Sequence, residues 1–182
     1  MKYLFLFLIF LGGCASTPDR FYRLNPDGKL PSSSSPDELS IEVGPVKLPE
    51  YINRGELVFQ STTYRFEVPS EHRWAGALDK SIASVLATNL GHRLGTSAVT
   101  TDSLNASQEP AYSIPVTIRQ FHAVSGGDAI LEASWEVRGA MTKRGSRTFT
   151  EPLTEEGYDG IIAAESRLLG QLADAITAEI EK

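Results

Sequence analysis

A sheet with helices packed on it, α/β in the α+β sense, is the fold class this sequence predicts, and three observations lead there. Two long alternating runs, Tyr112 to Val124 and Ala129 to Thr142, are separated by Ser125-Gly126-Gly127-Asp128 and read as one long hairpin. Apolar residues recur every three or four positions from Trp74 to Leu94 and again from Ile161 to Ile180, which predicts two amphipathic helices. Shorter alternating segments supply further strands, so the sheet should be largely antiparallel or mixed. No repeat at a fixed period is visible.

The chain opens with an address. Met1-Lys2 gives a minimal positive start, Tyr3 to Leu11 is unbroken apolar sequence, and Gly12-Gly13 are small residues before Cys14, the single cysteine of 182 residues. A bilayer-spanning helix needs about 20 apolar residues, so this run is too short and reads as a cleaved signal. Leu11-Gly12-Gly13-Cys14 resembles a bacterial lipobox, which makes 1–13 the signal peptide, 14–20 an acylated tether and 21–182 one periplasmic domain. Cys14 is then acylated on sulfur and again on its amine. One acyl chain holds a protein marginally, at about 0.8 kcal/mol per buried methylene, whereas two or more anchor it stably. Ala15, in place of Asp, resembles the sorting signal for the outer membrane of a Gram-negative envelope. No cofactor is expected beyond the diacylglyceryl and acyl groups on Cys14, and no intramolecular disulfide can form.

Composition narrows the function classes. The formal charge is −6 and there is no basic run, which argues against nucleic acid as a partner. The same sign argues against a domain held flat on anionic lipid by charge, so the anchor must do it.

Taken in order, Ala15 to Arg20 is a polar tether of about 20 Å at full extension. Phe21-Tyr22-Arg23-Leu24 can add a short strand, Asn25-Pro26-Asp27-Gly28 is a turn, and Lys29 to Glu38, rich in serine between two prolines, reads as a mobile loop. Leu39 to Val46 alternates until Gly44-Pro45 punctuates it, and Pro49 ends any extension. Leu48 to Arg54 is a structured connection. Glu56 to Gln60 and Tyr64 to Val68 read as strands joined by a turn at Ser61-Thr62-Thr63. The first helix follows from Pro69 and carries Trp74, Leu78, Ile82, Val85, Leu86 and Leu90, ending on His92-Arg93 and a left-handed Gly95. Ser97 to Thr101 is a short strand and Asp102 to Pro110 a polar loop.

In the hairpin's first arm the phase slips between Ile118 and Phe121, which predicts a bulge near Gln120; with Pro115 this suggests a bent strand towards the sheet's margin. In the second arm Ala129, Leu131, Ala133, Trp135, Val137, Gly139 and Met141 share the inward face. Lys143-Arg144-Gly145-Ser146 then reads as a turn into a last strand, Arg147 to Leu153. Asp159 is the expected cap of the second helix, with Tyr158 before it as a staple.

These segments carry a resemblance. Phe21-Tyr22-Arg23-Leu24, the run Ile41 to Arg54, His72-Arg73-Trp74-Ala75 opening a helix, Leu131-Glu132-Ala133-Ser134-Trp135 and Tyr158-Asp159-Gly160 look like the PqiC-type family of ABC-transport auxiliary lipoproteins. The chain departs from that pattern at Asn53, Gly55 and Gly76-Ala77, where the family carries Asp, Pro and Glu-Pro. The resemblance implies a lipid-anchored subunit on the periplasmic face of the outer membrane, working with an MCE-domain protein that moves lipids between the envelope membranes, with self-association as a further partner class.

No enzyme chemistry is supported. His72, His92 and His122 lie too far apart for a local metal motif, Gly95-Thr96-Ser97 lacks the second glycine of a nucleophile elbow, and no GxxxxGK[ST] loop occurs. Two function classes remain. The first is a scaffold or adaptor whose contact residues are Pro49, Tyr51, Ile52 and Arg54, flanked by His72 and Arg73, since Tyr, Trp and Arg dominate interface hot spots. The alternative is a lipid carrier with an apolar cavity between sheet and helices.

Overall fold

The computed structural model describes residues 18–30, 39–101 and 109–181. Cys14, the signal, and most of the expected tether and of the loops at 29–38 and 102–110 lie outside these residues. The elements in order are β1 (Arg20–Tyr22), β2 (Ile41–Lys47), β3 (Phe59–Thr62), β4 (Arg65–Glu67), β5 (His72–Trp74), α1 (Leu78–Leu94), β6 (Val99–Thr100), β7 (Tyr112–Val124), β8 (Asp128–Arg138), β9 (Thr142–Pro152) and α2 (Gly157–Ile180).

The main sheet is mixed and built around β7. β8 pairs antiparallel along one of its edges, and β9 pairs antiparallel beyond β8. Along the other edge β2 runs parallel to the first half of β7, and β3 runs parallel to its last residues. β6 adds to β2 and β4 to β3. A separate ribbon pairs β1 with β5 in parallel.

Both helices cover one face. The side chains they bury include Ile41 and Val43 of β2, Ile114, Val116 and Ile118 of β7, and Leu131, Ala133 and Val137 of β8. Alternation places these on one side of the pleat, as the sequence predicts for β8 from Ala129 to Val137. α1 supplies Ile82, Leu86 and Leu90, and α2 supplies Leu168, Leu172 and Ile176, each at helical spacing. Gly95 closes α1 at φ 67°, ψ 28°, its N–H bonded to the Gly91 carbonyl, the left-handed cap its sequence calls for.

Several expectations are corrected. β7 is central rather than marginal. The expected bulge is present between Ile118 and Gln120, and Pro115 is tolerated because β2 loses register opposite it, between Val43 and Val46. That irregularity contains a cis Gly44–Pro45 bond and Gly44 at φ 122°. His72-Arg73-Trp74 does not open a helix; it is strand. The Trp74 N–H donates to the Gly55 carbonyl at 2.7 Å, and the His72 carbonyl accepts from Leu57 N–H at 2.9 Å, so β5 is held on both sides. The four-residue step from Trp74 to Leu78 imitates helical spacing across this boundary.

Lys143 to Ser146 is likewise strand, not turn: β8 ends at Arg138 and β9 begins at Thr142, with Met141 in the connection and 73% exposed. Gly145 marks close packing instead, because the Trp135 indole fills the space a Cβ would need. The β3–β4 turn falls at Thr63-Tyr64 and shares only Thr63 with the expected Ser61-Thr62-Thr63. α2 begins at Gly157 rather than after Asp159, and its cap residue Glu156 makes no side-chain cap bond. The Glu155 backbone folds directly against Gly160, which only a glycine permits there.

Candidate docking surface

The connection from β2 to β3 is a compact turn. The Pro49 carbonyl accepts the N–H groups of Ile52 and Asn53 at 3.2 and 3.1 Å. This winding points Ile52 into the core, where it is 2% exposed, so the apolar residue expected at an interface is unavailable to a partner. Tyr51 is half-buried. Its ring lies 4.9 Å from that of Phe66 in β4 and 6.0 Å from that of His122 in β7.

His122 ties three segments together. Its Nε2–H donates to Gln60 Oε1 at 3.2 Å, which leaves Nδ1 to accept the Tyr51 hydroxyl at 3.2 Å. Burial pushes the His122 pKa below its usual value and that of the Tyr51 phenol above its own. Tyr51 has no periodic core pattern around it, because its partners Phe66 and His122 come from strands distant in the chain.

Arg54 and Arg73 share one carboxylate. Glu56 accepts Arg54 Nε at 3.1 Å and Arg73 Nη1 at 3.1 Å, and the Arg54 hydrogen bond first of all holds Glu56 below the usual carboxylate range. Both arginines stay partly exposed, so they keep donors for an outside acceptor. His72 sits apart from them. Its ring stacks 3.5 Å from that of Tyr158 and its Nδ1 shares a hydrogen bond of 2.8 Å with the Tyr22 hydroxyl, which joins β1, β5 and the start of α2.

Apolar surface that the sequence reading assigned to ordinary strands lies on β4 and its flanks: Tyr64 is 97% exposed, Phe66 and Val68 are also open, and Phe66 extends the patch onto Tyr51. The alternation at Tyr64, Phe66 and Val68 is a signal for strand, but it does not show how little of this side the described residues cover. A second residue missed was Arg93, read as a helix-dipole partner. It bonds Asp27 through both carboxylate oxygens, Asp174, and the carbonyls of Asn89 and Gly170, and so clamps the segment after β1 onto both helices. Gly170 makes room for the Asp27 carboxylate.

Among the described residues no group of three His, Cys, Asp or Glu side chains is placed to hold a metal ion, and no helix is long and apolar enough to cross a membrane. The surface joins exposed aromatics of the β3–β4 hairpin to the Arg54–Glu56–Arg73 group through Tyr51.

Comparison with known proteins gives concordant results. Residues 22–177 match the sequence model of the family described as "ABC-type transport auxiliary lipoprotein component". The chain is 25% identical over 179 residues to "Intermembrane transport lipoprotein PqiC" of Escherichia coli strain K12, covering 96% of this chain and 94% of that protein. The protein of the same name from Shigella flexneri aligns to the same extent. The crystal structure of an uncharacterized protein superposes with a TM-score of 0.73 at 21% identity, over 90% of this chain and 99% of that one. A crystal structure from Xanthomonas campestris gives 0.68 at 13% identity, over 87% and 92%. These two likenesses show the fold.

Proposed function

Because this chain belongs to the family of ABC-type transport auxiliary lipoprotein components, we propose that it is the lipid-anchored subunit of an MCE-type envelope lipid transport system. It acts as a scaffold or adaptor on the periplasmic face of the outer membrane. The observation that carries this reading is the position of the match: it begins at Tyr22, eight residues after the lipobox-like cysteine, so the lipobox-like segment leads directly into the auxiliary domain. The similarity to PqiC, an intermembrane transport lipoprotein by name, favours an envelope-spanning partner.

The adaptor surface in this reading is the β3–β4 hairpin with Tyr64 and Phe66, continued through Tyr51 and Pro49 to Arg54 and Arg73, which share Glu56; His72, stacked on Tyr158, lies outside it. Exposed aromatics beside arginines are what a protein partner, or a second copy of the chain, buries at a hot spot. A carrier with a cavity between sheet and helices has less support. Ile41, Leu86, Leu131, Leu168 and Leu172 meet there with 0% exposure and fill the space.

Two measurements test the reading. Cys14→Ser should release the folded domain from the membrane fraction. Benzoylphenylalanine in place of Tyr64, irradiated in intact envelopes, should crosslink to an MCE-domain protein. A Cys14→Ser chain still wholly membrane-bound would sink the anchor; Tyr64 adducts formed with other proteins alone would sink the MCE partnership.

A further inference from the structure

A cleft of about 420 Å³ opens between the N-terminus of α2 and the β7–β8 turn, a size in the range of roughly 300–1,000 Å³ seen for small-ligand sites. Phe59, Val124, Leu153, Tyr158 and Ile161 give it apolar walls. Gly126 and Gly127 leave one side bare of side chains, and Glu155 and Glu156 line its mouth as exposed carboxylates.

Its place relative to the start of the domain is informative. Tyr158 stacks on His72 and lies 6.1 Å from Tyr22, ring to ring. His72 is in turn the register partner of Arg20, where β1 begins. The strand that leads in from the tether thus enters the fold beside the wall of the cleft. Cys14 precedes Arg20 by six residues, at most about 20 Å of extended chain, a length over which groups carried by Cys14 can reach this end of the domain.

We propose that this cleft receives one acyl chain of the protein's own anchor, the others remaining in the bilayer. The inference rests on Cys14 being acylated. Two chains suffice for stable anchoring, so a third can leave the bilayer without release of the protein. Its methylenes are worth about 0.8 kcal/mol each when buried from water, in lipid or in the cleft, so the exchange is nearly balanced. The acidic mouth selects the source. Glu155 and Glu156 repel the phosphate of a bilayer phospholipid, whereas the amide that joins an acyl chain to the Cys14 amine is neutral. With one chain held there, the domain is fixed against the membrane at the end where β1, Tyr158 and the β7–β8 turn meet.

The test uses the full lipoprotein in the cell envelope. Cells are fed a diazirine-bearing palmitate, the envelope is irradiated, and the purified protein is cut with trypsin. The expected product joins the lipopeptide Cys14–Arg20 to the peptide Thr148–Arg167, which carries Leu153, Tyr158 and Ile161. Leu153→Asp should lower its yield about tenfold with the lipopeptide itself unchanged, and Ile161→Ser replaces it if Leu153→Asp lowers the melting temperature. A labelled lipopeptide without that crosslink, or Thr148–Arg167 carrying a phospholipid mass instead, would overturn the proposal. A lipopeptide with no acyl mass would defeat the lipoprotein reading itself, and this inference with it.

Discussion

Arg93 holds both carboxylate oxygens of Asp27, Nη1 to Oδ1 at 2.9 Å and Nη2 to Oδ2 at 2.7 Å, across 66 residues of chain. This planar two-bond pairing is the strong form of an arginine–carboxylate contact. It fastens the segment that follows β1 onto α1, where the Asp27 N–H also donates to Asn89 Oδ1 at 3.0 Å.

Arg93→Met should therefore destabilise the domain by about 2 to 3 kcal/mol, since Asp27 and two helix carbonyls lose a charged donor together. Arg93 holds the Asp27 pKa below its ordinary value. A depressed carboxylate pKa adds stability that is complete above the unfolded value of 3.8 and is lost as pH falls through the lower, folded value. Wild-type melting temperature should drop below about pH 4 more steeply than that of Asp27→Asn; matching acid profiles would show the pair to be silent.

Glu165 gives the opposite pH dependence. It is 2% exposed in α2, its Oε2 has no hydrogen-bond partner, and burial pushes its pKa up to about 8. The folded state then binds a proton that the unfolded state releases above 4.5. Stability from this group is full below pH 4.5 and falls as pH rises towards 8, by up to about 1.4 kcal/mol per pH unit. Glu165→Gln should match the wild type near pH 4.5 and be the more stable protein at pH 8; urea unfolding at the two pH values decides it.

Tyr51 belongs to a small satellite core rather than to a free loop. Tyr51→Ala should cost about 1 to 3 kcal/mol through loss of its contacts with Phe66 and His122. Because His122 has a folded pKa below 6.5, its protonation favours unfolding, so stability is lost as pH falls from 6.5 through the lower folded value. His122→Gln, which keeps a donor and an acceptor, should flatten that part of the thermal profile.

The two faces of β8 should respond unequally. Trp135→Ala removes a buried indole and should cost about 3 to 5 kcal/mol. Glu136→Ala, on the hydrated face with Arg138 and Arg144 as its partners, should change the melting temperature far less. Equal shifts in calorimetry would reverse the face assignment.

Local pattern was enough to specify the parts whose cause is local. The Ser125–Asp128 hairpin, the inward face from Ala129 to Val137, the bulge near Gln120, the cap at Gly95 and the two helical stripes each depend on neighbours within a few residues, through pleat, helical period or a left-handed glycine. The family resemblance was equally readable, since it rests on runs of neighbouring residues. Tertiary structure alone decided what pairs across long separations. His72–Trp74 is strand because Arg20–Tyr22 and Gly55–Leu57 lie on either side of it. Gly145 sits in a strand because Trp135 covers it. Ile52 is core and Tyr51 half-core because β4 and β7 close over their loop. Tyr64 is bare because no element among the described residues closes over it. Burial is a property of what arrives from elsewhere in the chain, and side-chain periodicity records only which residues share a face, never whether that face is met.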